Sequence, residues 1–327
     1  MKAVVRHAYG SPDVLQLTDI ERPVPAAGEV LVRVRATSVN PYDWHYMRGE
    51  PYIARVMPGG TGLGRPKVRI LGCDMAGQVA AVGADVTGFR VGDDVFALMK
   101  QGGFAEYVSV RADLLAPKPA NLSYQQAAAV PMAAVTALVA VRDTGRLQPG
   151  QRVLVNGASG GVGTFAVQLA RALGARVTGV CSTRNVELVR SIGADEVIDY
   201  RVDDFTRRGQ RYDLVVDIAG SRSAWACRRV MAPKGTFVAV GGQAGRWVQP
   251  AGHVFAALAT GPFMSQRVAL ADAVASGKKQ SLLTLTQFIE AGTVTPVIDR
   301  CYPLDEIRAA VRYQEEGHAP GKVVVEV

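Results

Sequence analysis

Glycines at 160, 161 and 163 follow a short β-branched run, Arg152-Val-Leu-Val-Asn156, and open a segment with apolar residues at Val162, Phe165, Ala166 and Leu169. Strand, tight turn and helix start is the order that holds a pyrophosphate. Glycine lets the backbone approach the phosphates, and the free N–H groups of the helix start attract an anion. Ala158, Ser159, Gly160, Gly161, Val162 and Gly163 are therefore the expected dinucleotide contacts. The next apolar run, Arg176-Val-Thr-Gly-Val-Cys181, is followed by Ser182-Thr-Arg184-Asn185, with no carboxylate before Glu187. A site for NADH usually places Asp or Glu there to accept from the ribose hydroxyls. Ser182 and Arg184 can instead donate to a 2′-phosphate, so NADPH is the expected cofactor. Tyr42 and His45, three apart, fall near one face of the first turn of a predicted helix, close enough to act together.

Two kinds of element must position these groups. Up to about residue 120 the sequence reads as short strands, at Met1–Arg6, Glu29–Ala36, Gln78–Val82, Asp94–Leu98 and Ala105–Val110, punctuated by Gly28, Gly83, Gly88, Gly92, Gly102 and Gly103. That spacing predicts a β-rich, partly closed barrel-like domain. Pro51 to Lys67 is a long Gly- and Pro-containing loop without periodicity, of a length that usually carries function. Ser123 and Gln126 suit a capping box at a helix start, and a second helical segment runs from Met132 to Thr144.

From the glycine turn onward helices and strands alternate: helix Asn185–Ile192, strand Glu196–Asp199, strand Tyr212–Ile218, helix Ser223–Met231, strand Gly235–Val240, and a further strand within Arg267–Val274. Such alternation requires crossovers and hence an α/β domain with a doubly wound parallel sheet. The last part holds helix Leu282–Glu290, a turn at Ala291-Gly292, a strand near Pro296–Ile298, helix Leu304–Gln314 and a closing strand Lys322–Val325. Its apolar strands need partners in a sheet that is already β, so this segment is expected to return to the first domain. The predicted division is 1–122 for the first part of the β-rich domain, 123–265 for the dinucleotide domain and 266–327 for the return.

Composition narrows the class. With 48% hydrophobic and 20% charged residues the chain is an ordinary globular protein. No apolar run reaches membrane-spanning length and no signal-peptide core follows the first residues, so a cytoplasmic protein is expected. Cys73, Cys181, Cys227 and Cys301 lie far apart without a Cys-x-x-Cys pair, which supports neither a disulfide framework nor a structural zinc lobe. The net charge of +8 is spread along the chain, as a solvated basic surface rather than a nucleic-acid stripe, and its field favours an anionic, phosphorylated cofactor.

Val39-Asn-Pro-Tyr-Asp-Trp44, Leu71-Gly-Cys-Asp-Met-Ala-Gly77, Gly88-Phe-Arg-Val-Gly-Asp-Asp-Val95, the glycine stretch 157–163 and Gly292-Thr-Val-Thr-Pro-Val-Ile-Asp299 together resemble the medium-chain dehydrogenase/reductase superfamily, and within it the zinc-free quinone oxidoreductase-like branch. The resemblance covers nearly the whole chain. It implies a discontinuous GroES-like catalytic domain, a Rossmann domain, an active site in the cleft between them and commonly a homodimer, for which Gly235–Gly242 and Arg267–Val274 offer strands to pair across a two-fold axis.

It also implies residue roles. Asn40 resembles the family's active-site asparagine, against an ordinary Asx turn before Pro41. Tyr42 and His45 match proton-relay positions, so either is a candidate proton donor, and Tyr52 is a weaker one. Asp43 and Asp74 match structural acidic positions, and Cys73 is expected to be a small buried residue. Thr136 is placed near the nicotinamide, Tyr200 on the adenine side, and Val240 and Gly241 with the cofactor. Where zinc-dependent members carry Cys, His and Cys, this sequence has Asn40, Cys73 and Met132, a poor zinc set, so no metal is expected. The expected activity is NADPH-dependent, zinc-independent reduction of a quinone or another α,β-unsaturated carbonyl. The alternatives are an enoyl or carbonyl reductase of a specialised pathway, and a non-catalytic NADPH-binding sensor or structural protein.

Overall fold

The computed structural model describes residues 1–56, 61–242, 245–247, 251–271 and 278–327. The strands in chain order are β1 (Lys2–Val5), β2 (Gln16–Asp19), β3 (Glu29–Val39), β4 (Asp74–Val82), β5 (Asp94–Leu98), β6 (Tyr107–Arg111), β7 (Leu115–Pro117) and β8 (Arg152–Asn156). They continue with β9 (Arg176–Cys181), β10 (Glu196–Asp199), β11 (Tyr212–Asp217), β12 (Met231–Ala239), β13 (Arg267–Leu270), β14 (Ile298–Pro303) and β15 (Lys322–Glu326). Contacts divide the chain into one unit of Met1–Met132, Gly277–Glu290 and Pro296–Val327, and another of Ala133–Ser276 and Ala291–Thr295. These boundaries differ from those read in the sequence: residues 123–132 go with the first unit and 266–276 with the second.

The first unit is built on β3, whose β-branched run is buried along most of its length. β4 pairs antiparallel with its residues 30–36, β6 with residues 29–33, and β15 with residues 36–39. The sheet order is β14-β15-β3-β4-β5-β7, with β6 also on β3. The carboxy-terminal strand thus completes a sheet begun by the amino-terminal residues, because Val323, Val324 and Val325 are all buried and require neighbours on both edges. Apolar clusters fill its interior, one including Val4, Trp44, Met47, Leu71, Phe104 and Val323 and another including Val30, Val32, Val34, Met75 and Val95. The helix Pro41–Arg48 leaves β3 directly, with the Asp43 carboxylate accepting from the Asn40 N–H at 2.9 Å.

The second unit is a parallel six-stranded sheet, β10-β9-β8-β11-β12-β13. Its order reverses between β8 and β11, the switch point at which such sheets bind ligands beyond the carboxyl ends of their strands. The apolar core here gathers Leu154, Val180, Tyr212, Val215 and Phe237.

Several expectations are met closely. Ser123 and Gln126 do exchange capping-box hydrogen bonds, at 3.2 and 3.0 Å. Others need correction. The helix expected over Met132–Thr144 is α-helical over Pro131–Leu138 and widens to π-helical turns over Val139–Thr144. Ser223–Met231 is α-helical only at Ala224–Cys227, and β12 starts four residues earlier than expected, with a register shift across Pro233-Lys234-Gly235 that apolar periodicity does not report. The strand near Pro296–Ile298 instead starts at Ile298. Its polar Asp299, Arg300 and Cys301 suit an edge strand and hide it from a hydrophobicity reading. The strand 235–240 lies between β11 and β13, so it has no edge to offer a second copy; β13 does. Of the expected strand 267–274, residues 272–274 lie outside the described residues, as do 57–60 of the loop 51–67.

Close approach at Gly77 fixes the β3–β4 crossing, since an added Cβ would stand 2.2 Å from the Arg33 carbonyl oxygen, whereas at Gly88 it would meet nothing within 4 Å. Gly77→Ala is expected to lower stability in urea denaturation by about 1–3 kcal/mol, and Gly88→Ala to stay within about 0.5 kcal/mol of the parent. Equal effects at both would contradict the packing described.

Candidate active site

Strand register assembles the centre of the first unit. Pairing of Val323 with Val39 brings Lys322 beside Asn40, and pairing of Ala36 with Ala76, continued two residues, brings Ser38 opposite Asp74. All of these side chains are buried. The Lys322 ammonium donates to the Asn40 carboxamide oxygen and reaches the Asp74 carboxylate at 3.4 Å. The Asn40 amide nitrogen donates to Asp74 at 2.9 Å and faces the Cys73 sulfur at 3.3 Å. Asp74 also accepts from the Ser38 hydroxyl and from the Met132 N–H at 2.7 Å. Asp43 accepts from the backbone N–H of Asn40 and of Gly72. Burial raises the Asp43 carboxyl to about 7 despite those donors, and burial with Asp43 and Asp74 nearby pushes the Cys73 thiol well up.

Asn40, Cys73 and Met132, the three positions expected to replace zinc ligands, are thus brought to one place. As donors they are a carboxamide already engaged on both its atoms, a thiol held protonated and a thioether, with an ammonium among them. That set does not fit a zinc ion. Among the described residues there is no group of three or more His, Cys, Asp and Glu arranged for a metal. Lys322 is the member that sequence reasoning missed. Along the chain it is only the first residue of a strand, and the signal for it lies in register with Asn40, 282 positions away.

Tyr42 and His45 sit together on the helix Pro41–Arg48. The Tyr42 and Tyr46 rings are 4.6 Å apart, and burial together with the Tyr46 hydroxyl pushes the Tyr42 phenol far above its usual range. The His45 ring stacks on Trp44, and its Nδ1 lies 3.2 Å from the Glu50 carbonyl oxygen. A carbonyl only accepts, so Nδ1 carries the proton; burial lowers the imidazole pKa to about 4 and keeps it neutral. Tyr52 carries the Arg55 guanidinium 4.6 Å over its ring.

In the second unit the glycine turn is built as its residue types require. Gly157 has a φ of +93°, and an added Cβ at Gly163 would stand 2.0 Å from the Gly157 oxygen, so helix Gly161–Ala172 closes on the turn only with glycine there. At Gly160 an added Cβ would meet nothing nearer than 3.7 Å, which leaves the helix start open to an anion. Ala158 donates to the Val180 carbonyl, tying the turn to β9. Ser182 and Arg184 follow β9 directly, Ser182 buried and Arg184 exposed on a 3-10 turn.

Asn185, not singled out in the sequence, donates to Ser159 at 3.0 Å and to Ser182 at 3.4 Å, joining the phosphate turn to the segment expected to take the 2′-phosphate. Its position at a helix start was the available signal. Tyr200 is exposed after β10, its N–H bonded to Cys181. Val240 and Gly241 donate to the Asp217 carbonyl at the end of β11, and Thr136 lies on helix Pro131–Leu138. Asn156 and His253 both bond the buried Asp217 carboxylate, at 2.7 and 2.9 Å, a contact spanning residues that no local pattern connects.

Comparison with known proteins agrees with both units. An alcohol dehydrogenase GroES-like domain model matches residues 26–120 and a zinc-binding dehydrogenase model matches residues 192–325. The chain is 35% identical to the mitochondrial NAD(P)H oxidoreductase RTN4IP1 of Mus musculus, covering all of this chain and 89% of that protein. It is 33% identical to a chloroplastic NADPH-dependent alkenal/one oxidoreductase of Arabidopsis thaliana, covering 99% of this chain and 79% of that one. The structure of the quinone oxidoreductase from Coxiella burnetii superposes with a TM-score of 0.86 at 28% identity, over 100% of this chain and 99% of that one. Matched over its whole length in sequence and in fold, the chain is an oxidoreductase that belongs to the medium-chain dehydrogenase/reductase superfamily, in its quinone oxidoreductase-like branch.

Proposed function

We propose that the protein is an NADPH-dependent, zinc-independent reductase of a quinone or another α,β-unsaturated carbonyl. The observation that carries this reading is the ammonium, carboxamide and carboxylate packed among Asn40, Cys73 and Met132, where a metal-dependent relative would hold its ligands. Without a Lewis acid, alcohol oxidation loses activation of the hydroxyl, whereas an electron-poor enone or quinone accepts hydride without one. The relatives support the same class, one being an NADPH-dependent alkenal/one oxidoreductase and another a quinone oxidoreductase.

Ala158 to Gly163 would cradle the pyrophosphate, Ser182 and Arg184 would donate to the 2′-phosphate, and Thr136, Tyr200, Val240 and Gly241 would complete the cofactor contacts. When bound, NADPH supplies the hydride. Reduction of the acceptor then needs one proton. His45 is neutral above about pH 4 and has its Nδ1 proton committed to Glu50, so it is no acid in the neutral range. Tyr42 stays a neutral phenol at any working pH and would offer its O–H as a hydrogen bond to a developing enolate, while the proton that completes reduction comes from solvent. Asn40 acts here as a positioning residue, since both ends of its amide are engaged within the buried cluster. Tyr52 plays no part in this reading. The cytoplasmic setting and the homodimer, through the β13 edge, belong to the same proposal.

Arg184→Ala is expected to raise the KM for NADPH about tenfold while leaving that for NADH nearly unchanged; retained NADPH preference in steady-state assays would contradict the 2′-phosphate role. Tyr42→Phe is expected to lower kcat about a hundredfold with cofactor KM preserved, and His45→Ala to leave the pH profile between 5 and 8 unaltered. Unchanged turnover in both variants would remove this helix from the reduction step.

A further inference from the structure

We infer that the first unit carries an anion-binding pocket, separate from the nucleotide turn, that takes the phosphate group of a small phosphorylated molecule. The cavity has a volume of about 510 Å³ and is lined by Arg6, His7, Gly64, Arg65, Pro66 and Arg69, with Ala8 beside them. Three guanidinium groups and an imidazole thus share one cavity whose lining, among the described residues, contains no carboxylate. The backbone makes the convergence. β1 bridges antiparallel at Val5 and Ile70, and the Arg6 N–H donates to the Arg69 carbonyl, so the side chains leaving this end of β1 and those leaving 65–69 are neighbours.

Arg6 gives the pocket its chemistry. Its side chain is fully buried, and its Nε donates to the Val68 carbonyl at 3.1 Å. Nη1 donates to the Tyr46 and Met47 carbonyls, at the end of the helix Pro41–Arg48 where a cation is favoured. These bonds account for one nitrogen and half of the fork. Nη2, equally buried, has no acceptor among the described residues, and no carboxylate pairs with the charge. The Tyr9 ring, 5.4 Å from the guanidinium carbon, offers only its face. A buried cation left with an unused donor pair is costly unless an anion completes it, and Arg presents such a pair in the geometry an oxyanion accepts.

Arg65 and Arg69 are exposed, and no hydrogen bond or ion pair holds either side chain among the described residues. They can close over an anion that Arg6 engages from below. A lone phosphate would leave most of the cavity empty, and the volume suits a phosphate ester of metabolite size.

The test is calorimetric titration of the full-length, NADPH-saturated protein with inorganic phosphate and with glycerol 3-phosphate, against chloride at matched ionic strength. Saturating NADPH separates this pocket from the nucleotide turn. Binding beyond the chloride control is expected, tighter for the ester, and weakened about tenfold or more in Arg65→Ala/Arg69→Ala, whose affinity for NADPH is retained. No binding beyond chloride, binding abolished by NADPH, or equal affinity in the double variant would each overturn the proposal. Equal affinity for both probes would overturn the assignment to an ester in favour of the free ion.

Discussion

One buried ammonium organises the first unit. Lys322 enters from the last strand, Asn40 from the end of β3 and Asp74 from the start of β4, and their mutual hydrogen bonds close a polar knot inside an otherwise apolar sheet. Such a knot adds little net stability, because removing the charges from water offsets most of their attraction. Its effect is on specificity. A slip of one residue in either pairing would turn Lys322 or Asp74 to the wrong face and strand a charge, so the knot fixes the register of three strands and the start of the helix that bears Tyr42 and His45.

In the proposed function the same knot stands where a metal would otherwise act. An ammonium hydrogen-bonded to a carboxamide oxygen occupies the electrostatic role of a cation without an open coordination position. The thiol beside it stays protonated, and a neighbouring carboxyl titrates near 7. The second unit is organised by a different constraint, the closing of a helix on the turn before it so tightly that only glycine at 163 permits it. Backbone N–H groups are thereby presented at the end of the sheet where the strand order reverses. Hydrogen bonds from Asn185 join that turn to Ser182, so the residues that would select a phosphorylated ribose are held by those that would bind the pyrophosphate.

Much of this was legible in the sequence, for identifiable reasons. Glycines 157 to 163, the β-branched runs of β8, β9 and β11, and the Ser123 and Gln126 cap are local signals, each requiring only neighbours along the chain. The return of the last segment to the first domain is legible because its apolar strands need partners in a sheet that is already β. Lys322 did not follow, because its meaning depends on pairing across nearly the whole chain. The His253 contact with Asp217 was hidden in the same way. The π-helical turns at Val139–Thr144 and the broken register of β12 arise from packing that hydrophobic period does not encode. His45 was visible as a residue but not as a neutral one, since its state is set by Trp44, Glu50 and burial together.

Metal-free reduction at this knot is the central claim, and metal analysis joined to turnover tests it most directly. Purified protein is assayed for bound zinc as isolated, and for NADPH oxidation with a panel of quinones and enones before and after dialysis against a chelator. Metal-free reduction gives substoichiometric zinc and turnover unchanged by the chelator. One zinc per chain, with activity lost on chelation and restored by zinc, would contradict it.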